Sequence, residues 1–156
     1  MRGMEEETRL PQNLVILGGG FGGIACARTL AQLLRQHGLR RQFVPILIDR
    51  QPGQLYHPVL YEVVSAAPAD ASAFELKNTA VVPYEEILAG TGVRFLQTEV
   101  TNIDVAHRRV HTSSEPSLAF AHLVLALGAE PNFFGTPGMA EHAFSFRSFR
   151  EIVRLR

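Results

Sequence analysis

Tryptophan is absent from these 156 residues, cysteine occurs once, and neither sign of charge prevails. Each shortage closes off a class of function. Cys26 alone cannot form an internal disulfide, a cysteine-rich zinc site or a dithiol redox pair. One thiol suits a reducing compartment, which points to the cytoplasm. Lys plus Arg and Asp plus Glu number 15 each, so the formal charge is zero. That balance excludes a general basic field for nucleic acid and a polybasic membrane patch. No run approaches the roughly 18 apolar residues of a spanning helix. The start, MRGMEEE, has no apolar stretch of the kind a secretory leader needs. A soluble chain is expected. Hydrophobic residues make up 46% and charged residues 19%, enough of the former to bury a globular core.

The apolar run Asn13 to Leu17 stops at glycine and reads as a buried parallel strand. After the glycines, Ile24, Ala27, Leu30, Ala31 and Leu34 recur at helical spacing, predicting a helix over 21–37 with Gly38 as its stop. Phe43 to Asp49 is a second strand, and Pro45 places its beginning near a sheet edge. Residues 50–80 read as irregular, with a turn at Pro52-Gly53, a short helical piece over 59–65 and a small-residue loop from Ala66 to Ser72. A short helix over 83–88 and a strand over 93–96 follow. Short strands over 99–104, 108–112 and 118–120 suggest an antiparallel meander, and His122 to Leu127 a further buried strand. A Pro/Gly-rich loop occupies 131–138, and a helix starts at Ser148. The expected fold class is α/β: a Rossmann-like domain, with a parallel sheet, a crossover helix and an inserted antiparallel β-meander.

Gly18, Gly20 and Gly23 fit G-x-G-x-x-G between the first strand and the first helix. In that pattern the first glycine permits the tight turn, the second lets backbone approach a pyrophosphate, and the third lets the helix pack close to the strand. The helix N-terminus presents backbone N–H groups and the positive end of its dipole to the phosphates. Asp49, ending the second strand, is placed to accept hydrogen bonds from ribose hydroxyls. Its charge also disfavours a ribose carrying a 2′-phosphate, although Arg50 is adjacent. The bland alternative is a glycine turn without a ligand and an aspartate that caps a strand. The pattern itself does not separate FAD from NAD.

VILGGGFGGIACARTL, IDR, LYHPVLYEV, VRFLQTEVTNID and HLVLALGAEPNFFGTPG, in that order, resemble the type II NADH dehydrogenases, single-subunit flavoprotein NADH:quinone oxidoreductases. The resemblance runs from about Leu14 to Arg156. It implies that this N-terminal Rossmann unit binds FAD, with Gly18, Gly20, Phe21, Gly22 and Gly23 at the pyrophosphate and Asp49 at the adenosine ribose. Arg50 would lie at the adenosine end, Val100 would meet adenine through its backbone, and His57 would approach the flavin. Ala126, Leu127 and Gly128 match a strand-end Ala-Thr-Gly signature, with Leu127 where threonine is usual. His57 departs from a common glutamine. NADH and a quinone would be the full enzyme's substrates, with a later Rossmann unit for NADH and a C-terminal segment for membrane contact on the cytoplasmic face. The domain plan is then a flexible lead over 1–12, the first segment of the FAD-binding domain over 13–138, and a linker and helix over 139–156. This chain alone is expected to be inactive toward NADH and quinone.

Two alternatives stay open: another FAD-dependent reductase of the ferredoxin or rubredoxin type, and a nucleotide-binding module without turnover. No acid–base catalyst and no metal site are nominated. His107 and His111 sit on turn and strand rather than on one helical face. Glu85 and Glu86 read as a solvated helix start. Phe133, Phe134, Phe144, Phe146 and Phe149 read as packing, with a quinone channel as the other use.

Overall fold

The structure, a computed structural model, describes residues 10–65, 78, 80–114, 116–145 and 147–155. In chain order the elements are β1 (Gln12–Leu17), α1 (Phe21–Gln36), β2 (Phe43–Asp49), β3 (Gly53–Leu55), a 3-10 turn (His57–Val59) and α2 (Leu60–Ser65). Then come β4 (Val81–Pro83), α3 (Tyr84–Ile87), β5 (Arg94–Gln97), β6 (Val100–Asp104), β7 (Arg109–Thr112), β8 (Leu118–Ala119), β9 (His122–Leu125), α4 (Met139–His142) and α5 (Phe149–Leu155). Contacts divide the chain into two units, residues 1–51 with 88–127, and residues 52–87 with 128–156.

The first unit holds a four-stranded sheet in the order β5-β2-β1-β9, every pair parallel. β1 runs beside β2 from Gln12↔Phe43 to Leu17↔Ile48 and beside β9 from Leu14↔His122 to Leu17↔Leu125. Being central, β1 and β2 are apolar on both faces: Val15, Ile16, Ile46 and Leu47 are wholly buried. Each such side chain stabilises the fold by about 1.5–3 kcal/mol. Val15, Leu17, Ile46 and Ile48 point to one face, where Val110 and the half-buried Val100, Ile103 and Leu118 of the antiparallel β6-β7-β8 sheet cover them. The alternate face carries α1, which buries Ile24, Ala27, Ala31 and Leu34. Leu30, expected on that stripe, is only half-buried.

α1 ends as its sequence indicates. Gly38 takes φ +70°, Leu39 N–H donates to Leu34 C=O at 2.8 Å, and Gly38 N–H donates to Arg35 C=O at 3.3 Å. This pair of bonds satisfies carbonyls that the last turn leaves over.

β2 is an inner strand, but β5 joins it only from Ile46↔Arg94, so its beginning lies at the sheet's margin, as Pro45 indicates. At Pro45, β1 alone lies alongside, so the missing N–H leaves the second ladder intact. The segment from His122 to Leu127 is shorter and far less buried than expected, with strand ending at Leu125 and Leu125 61% exposed. It is the sheet's outer strand, and among the described residues one side of it has no neighbouring strand. Between it and α1 runs an open apolar groove of about 330 Å³ lined by Leu14, Leu30, Leu34, Phe43, His122 and Val124.

The second unit has a short antiparallel pair, β3 with β4, which the reading of 50–80 as irregular did not foresee. Leu60, Val63, Ala80 and Ile152 form its core, with Phe149 packed against them. Ser148 starts α5: its Oγ accepts from Glu151 N–H at 3.2 Å and donates to Glu151 Oε2 at 3.0 Å. A second hydroxyl, Ser145 Oγ, donates to the same carboxylate at 2.7 Å, and these bonds, Ser145's first, lower its pKa. Of the phenylalanines read as packing, Phe134 is instead 87% exposed, and Phe144 lies under the Arg154 guanidinium, 5.7 Å from its ring centre. Phe146 and the Ala66–Ser72 loop lie outside the described residues. Among the described residues, no helix is long and apolar enough to cross a membrane.

Candidate functional site

The chain builds outward from β1 to β2 and β5, then returns to place β9 on the other side of β1. The reversal falls between β1 and β9, and in open α/β sheets ligands bind beyond the strand ends at such a point. The glycine loop lies there. Its glycines differ in why they are glycine. Gly18 has φ +98°, and a Cβ on it would run into the carbonyl oxygen of Ala126. A Cβ on Gly23 would strike the carbonyl oxygen of Gly18 and lie 3.5 Å from the Ala126 methyl. Both are demanded by the fold itself.

Gly20 and Gly22 are not. A Cβ at either would meet nothing within 4 Å. Gly20 sits at φ −67°, ψ −176°, extended backbone that any residue adopts. It is the N-cap of a 16-residue helix, yet it contributes no side-chain acceptor, and the first turn of α1 holds no acid. The helix therefore brings neither a cap side chain nor an acid of its own first turn to its positive end.

Asp49 closes the other side. Its Oδ2 accepts from Gly19 N–H at 2.6 Å, and its Oδ1 accepts from Gln51 N–H at 2.8 Å. Its backbone carbonyl takes Thr98 N–H at 3.0 Å, and Gly18 N–H donates to Ile48 C=O at 2.9 Å. The loop and the end of β2 are thus joined by side chain and backbone together. Thr98 is the buried polar residue among the described residues, its hydroxyl receiving Ser114 Oγ–H at 2.8 Å.

Of the remaining sequence candidates, Arg50 is exposed, and its carbonyl accepts from Gln97 Nε2 at 3.4 Å. Phe21 opens α1 and is 54% exposed. Val100 begins β6 with its side chain in the core cluster, so its backbone is what it offers outward. Leu127 is 67% exposed. Gly18 to Gly23, Asp49, Arg50, Val100 and Leu127 belong to the first unit; Gly128, at φ +75°, and His57, exposed at the head of its 3-10 turn, belong to the second.

Sequence reasoning marked Ala126 only as the first residue of a strand-end signature and missed that its carbonyl bears on Gly18 and its methyl on Gly23. It also missed the bond from Gly19 to Asp49, which no spacing rule announces. His107 is accounted for structurally. It donates its N–H to Asp104 Oδ1 at 2.8 Å and places Nδ1 2.7 Å from Oδ2, bracing the β6–β7 turn. These bonds, the backbone one foremost, hold the Asp104 carboxyl below its ordinary 3.8. Among the described residues no group of three His, Cys, Asp or Glu is placed to hold a metal ion. The apolar groove lies toward the opposite end of the sheet and offers no converging donors, so it is not the dinucleotide site.

Comparison with known proteins adds the lineage. The family model described as pyridine nucleotide-disulphide oxidoreductase matches residues 12–156. Among curated proteins, the demethylphylloquinone reductase NdbB of Synechocystis sp. is 35% identical over 148 residues, 92% of this chain and 34% of its own length. The type II NADH:quinone oxidoreductase Ndh of Mycobacterium tuberculosis is 30% identical, the match taking in 100% of this chain and 32% of that protein. The sulfide:quinone oxidoreductase of Aquifex aeolicus superposes with a TM-score of 0.73 at 24% identity, covering 92% of this chain and 30% of its own, a likeness of fold. The chain spans about a third of the length of the curated relatives named here.

Proposed function

The chain belongs to the pyridine nucleotide-disulphide oxidoreductase family, and from that premise we propose that it is the FAD-binding part of an NADH:quinone oxidoreductase. The observation that carries this reading is Gly20. The fold supplies no reason for a glycine there, since its backbone is ordinary and its Cβ direction is open. A pyrophosphate lying against that backbone supplies one. The same vacancy at Gly22 extends the cradle along the first turn of α1.

In this reading Gly18 and Gly23 shape the loop, and Gly20, Phe21 and Gly22 face the pyrophosphate. The uncapped N-terminus of α1 meets its charge, and Asp49 takes the adenosine ribose. Arg50 and the Val100 backbone flank the adenosine end, with Leu127 and Gly128 toward the flavin and His57 beside it. When bound, FAD would supply the two-electron chemistry that links NADH oxidation to quinone reduction. The chain's own residues bind and orient it, and no acid–base catalyst is assigned. The disulphide half of the family's description has no counterpart in these residues, whose one cysteine, Cys26, lies half-buried on α1. Similarity to quinone reductases favours quinone as acceptor. The domain plan stays as read from sequence, with 13–138 the FAD segment and 139–156 leading onward. The parent enzyme would work on the cytoplasmic face of a membrane.

Titrating FAD into the purified chain and following flavin absorbance and fluorescence tests the reading. Saturable binding that competes with ADP-ribose is expected. No binding at flavin concentrations well above micromolar would sink it.

A further inference from the structure

We propose that Asp49 is a positioning residue, a clasp that holds the glycine loop in its nucleotide-ready shape before any nucleotide arrives. The inference deepens the dinucleotide reading and rests on it. An ionised carboxylate has about four acceptor positions, two on each oxygen. In this chain Oδ2 receives Gly19 N–H at 2.6 Å and Oδ1 receives Gln51 N–H at 2.8 Å. The first bond joins residues 30 apart in sequence, linking the loop after β1 to the end of β2; the second folds the chain back just beyond β2.

Charge-assisted bonds of this length are among the stronger ones a chain makes. They act here on flexible backbone, since Gly19 lies between two glycines, the residue type with the most conformational freedom to lose. Ordering that freedom in advance removes an entropy cost from the binding step itself. Two acceptor positions also remain, one on each oxygen, matching in number the two hydroxyls of an unmodified ribose. One carboxylate thus shapes the pyrophosphate loop from within and leaves a pair of acceptors for the sugar.

Asp49→Asn separates the two duties. The amide keeps the shape but has one oxygen, so its NH2 faces a backbone N–H where the second oxygen had been. The test uses the whole 156-residue chain, by amide hydrogen exchange without nucleotide and by stopped-flow binding of FAD. In the variant, Gly19 exchange is expected to accelerate at least tenfold while Val15 and Ile46 in the sheet stay protected, and FAD association to slow severalfold. Unchanged Gly19 exchange overturns the clasp, even if FAD affinity drops, because Asp49 would then serve the ribose alone. Accelerated exchange with an unchanged association rate overturns it too, since the loop's shape would not limit binding. If the parent chain takes up no FAD while the variant still frees Gly19, the dinucleotide reading fails and the loop clasp stands. Loss of protection throughout the sheet would show general unfolding, and Asp49→Ser, too short to span both N–H groups, then serves as the second variant under the same criteria.

Discussion

Replacing Gly20 with valine separates a glycine kept for the fold from one kept for a ligand. The backbone there, φ −67° and ψ −176°, accepts a β-branched residue, and the new Cβ would find no protein atom within 4 Å. Valine is a poorer N-cap than glycine by about 0.5–1 kcal/mol. Restricting the unfolded chain returns about 0.4–1 kcal/mol. Stability should therefore change by no more than about 0.5 kcal/mol. Binding should not escape so lightly. If the branched side chain displaces the pyrophosphate from two loop N–H groups, each charge-assisted bond is worth about 1.5 kcal/mol or more. Losing about 3 kcal/mol corresponds to about a hundredfold weaker affinity. Gly23→Ala is the counterpart, because its Cβ lands on the Gly18 carbonyl oxygen. There the apo protein itself should lose about 1–3 kcal/mol or more, as overpacked sites do. Denaturant unfolding of the apo proteins gives stability, and fluorescence titration gives FAD affinity. Wild-type FAD affinity in Gly20→Val would refute the reasoning by showing that the phosphates do not lie beside Gly20, and unfolding of that variant would refute it by showing that the fold itself needs the glycine.

Further outcomes follow from the same structure. The Asp104 carboxyl is held below its ordinary 3.8, chiefly by His107 N–H, so its contribution is complete above that value and is lost as pH falls through the lower folded value. Amide protection in the β6–β7 turn, corrected for the intrinsic pH dependence of exchange, should fall below pH 4 in the natural protein, and Asp104→Asn should flatten that dependence. Ser148→Ala removes the cap of α5 and should cost about 1 kcal/mol, seen as lower helicity and earlier urea unfolding of the second unit. With one glycine fingerprint in these residues, and FAD in it, reduction of the reconstituted chain by NADH should rise linearly without saturating. A micromolar plateau with quinone turnover in stopped flow would contradict that.

Where a local pattern coincided with a tertiary demand, the sequence could be read. The apolar runs of β1 and β2, the stripe from Ile24 to Leu34 and Gly38 at the end of α1 each carry their signal within a few residues. The G-x-G-x-x-G loop was legible for the same reason, and Asp49 because it ends a strand. The β3–β4 pair was not legible: three-residue strands meeting from Gly53↔Pro83 to Leu55↔Val81 leave too little periodicity to detect. The exposure of β9 was hidden because Leu123, Val124 and Leu125 read alike whether or not a further strand covers them. Nor could spacing reveal that Gly18 and Gly23 are pressed by Ala126, more than 100 positions away from either, as in the site described above. Such contacts belong to the assembled sheet alone.

The order β5-β2-β1-β9 also bears on how the chain emerges during synthesis. β1, α1 and β2 are contiguous and can dock once Asp49 is out, but the strand that covers the other side of β1 starts at His122. At roughly 5–20 residues per second, the intervening stretch of about 70 residues takes roughly 4–14 seconds to translate. Throughout that interval the hydrogen-bonding edge of β1, bearing Leu14 to Leu17, lacks its later neighbour. An unpaired apolar edge is a template for pairing with another chain. Nascent copies on neighbouring ribosomes are therefore most vulnerable to co-aggregation in this window, and slowing elongation between codons 50 and 121 should lower the soluble yield more than the same slowing after codon 127.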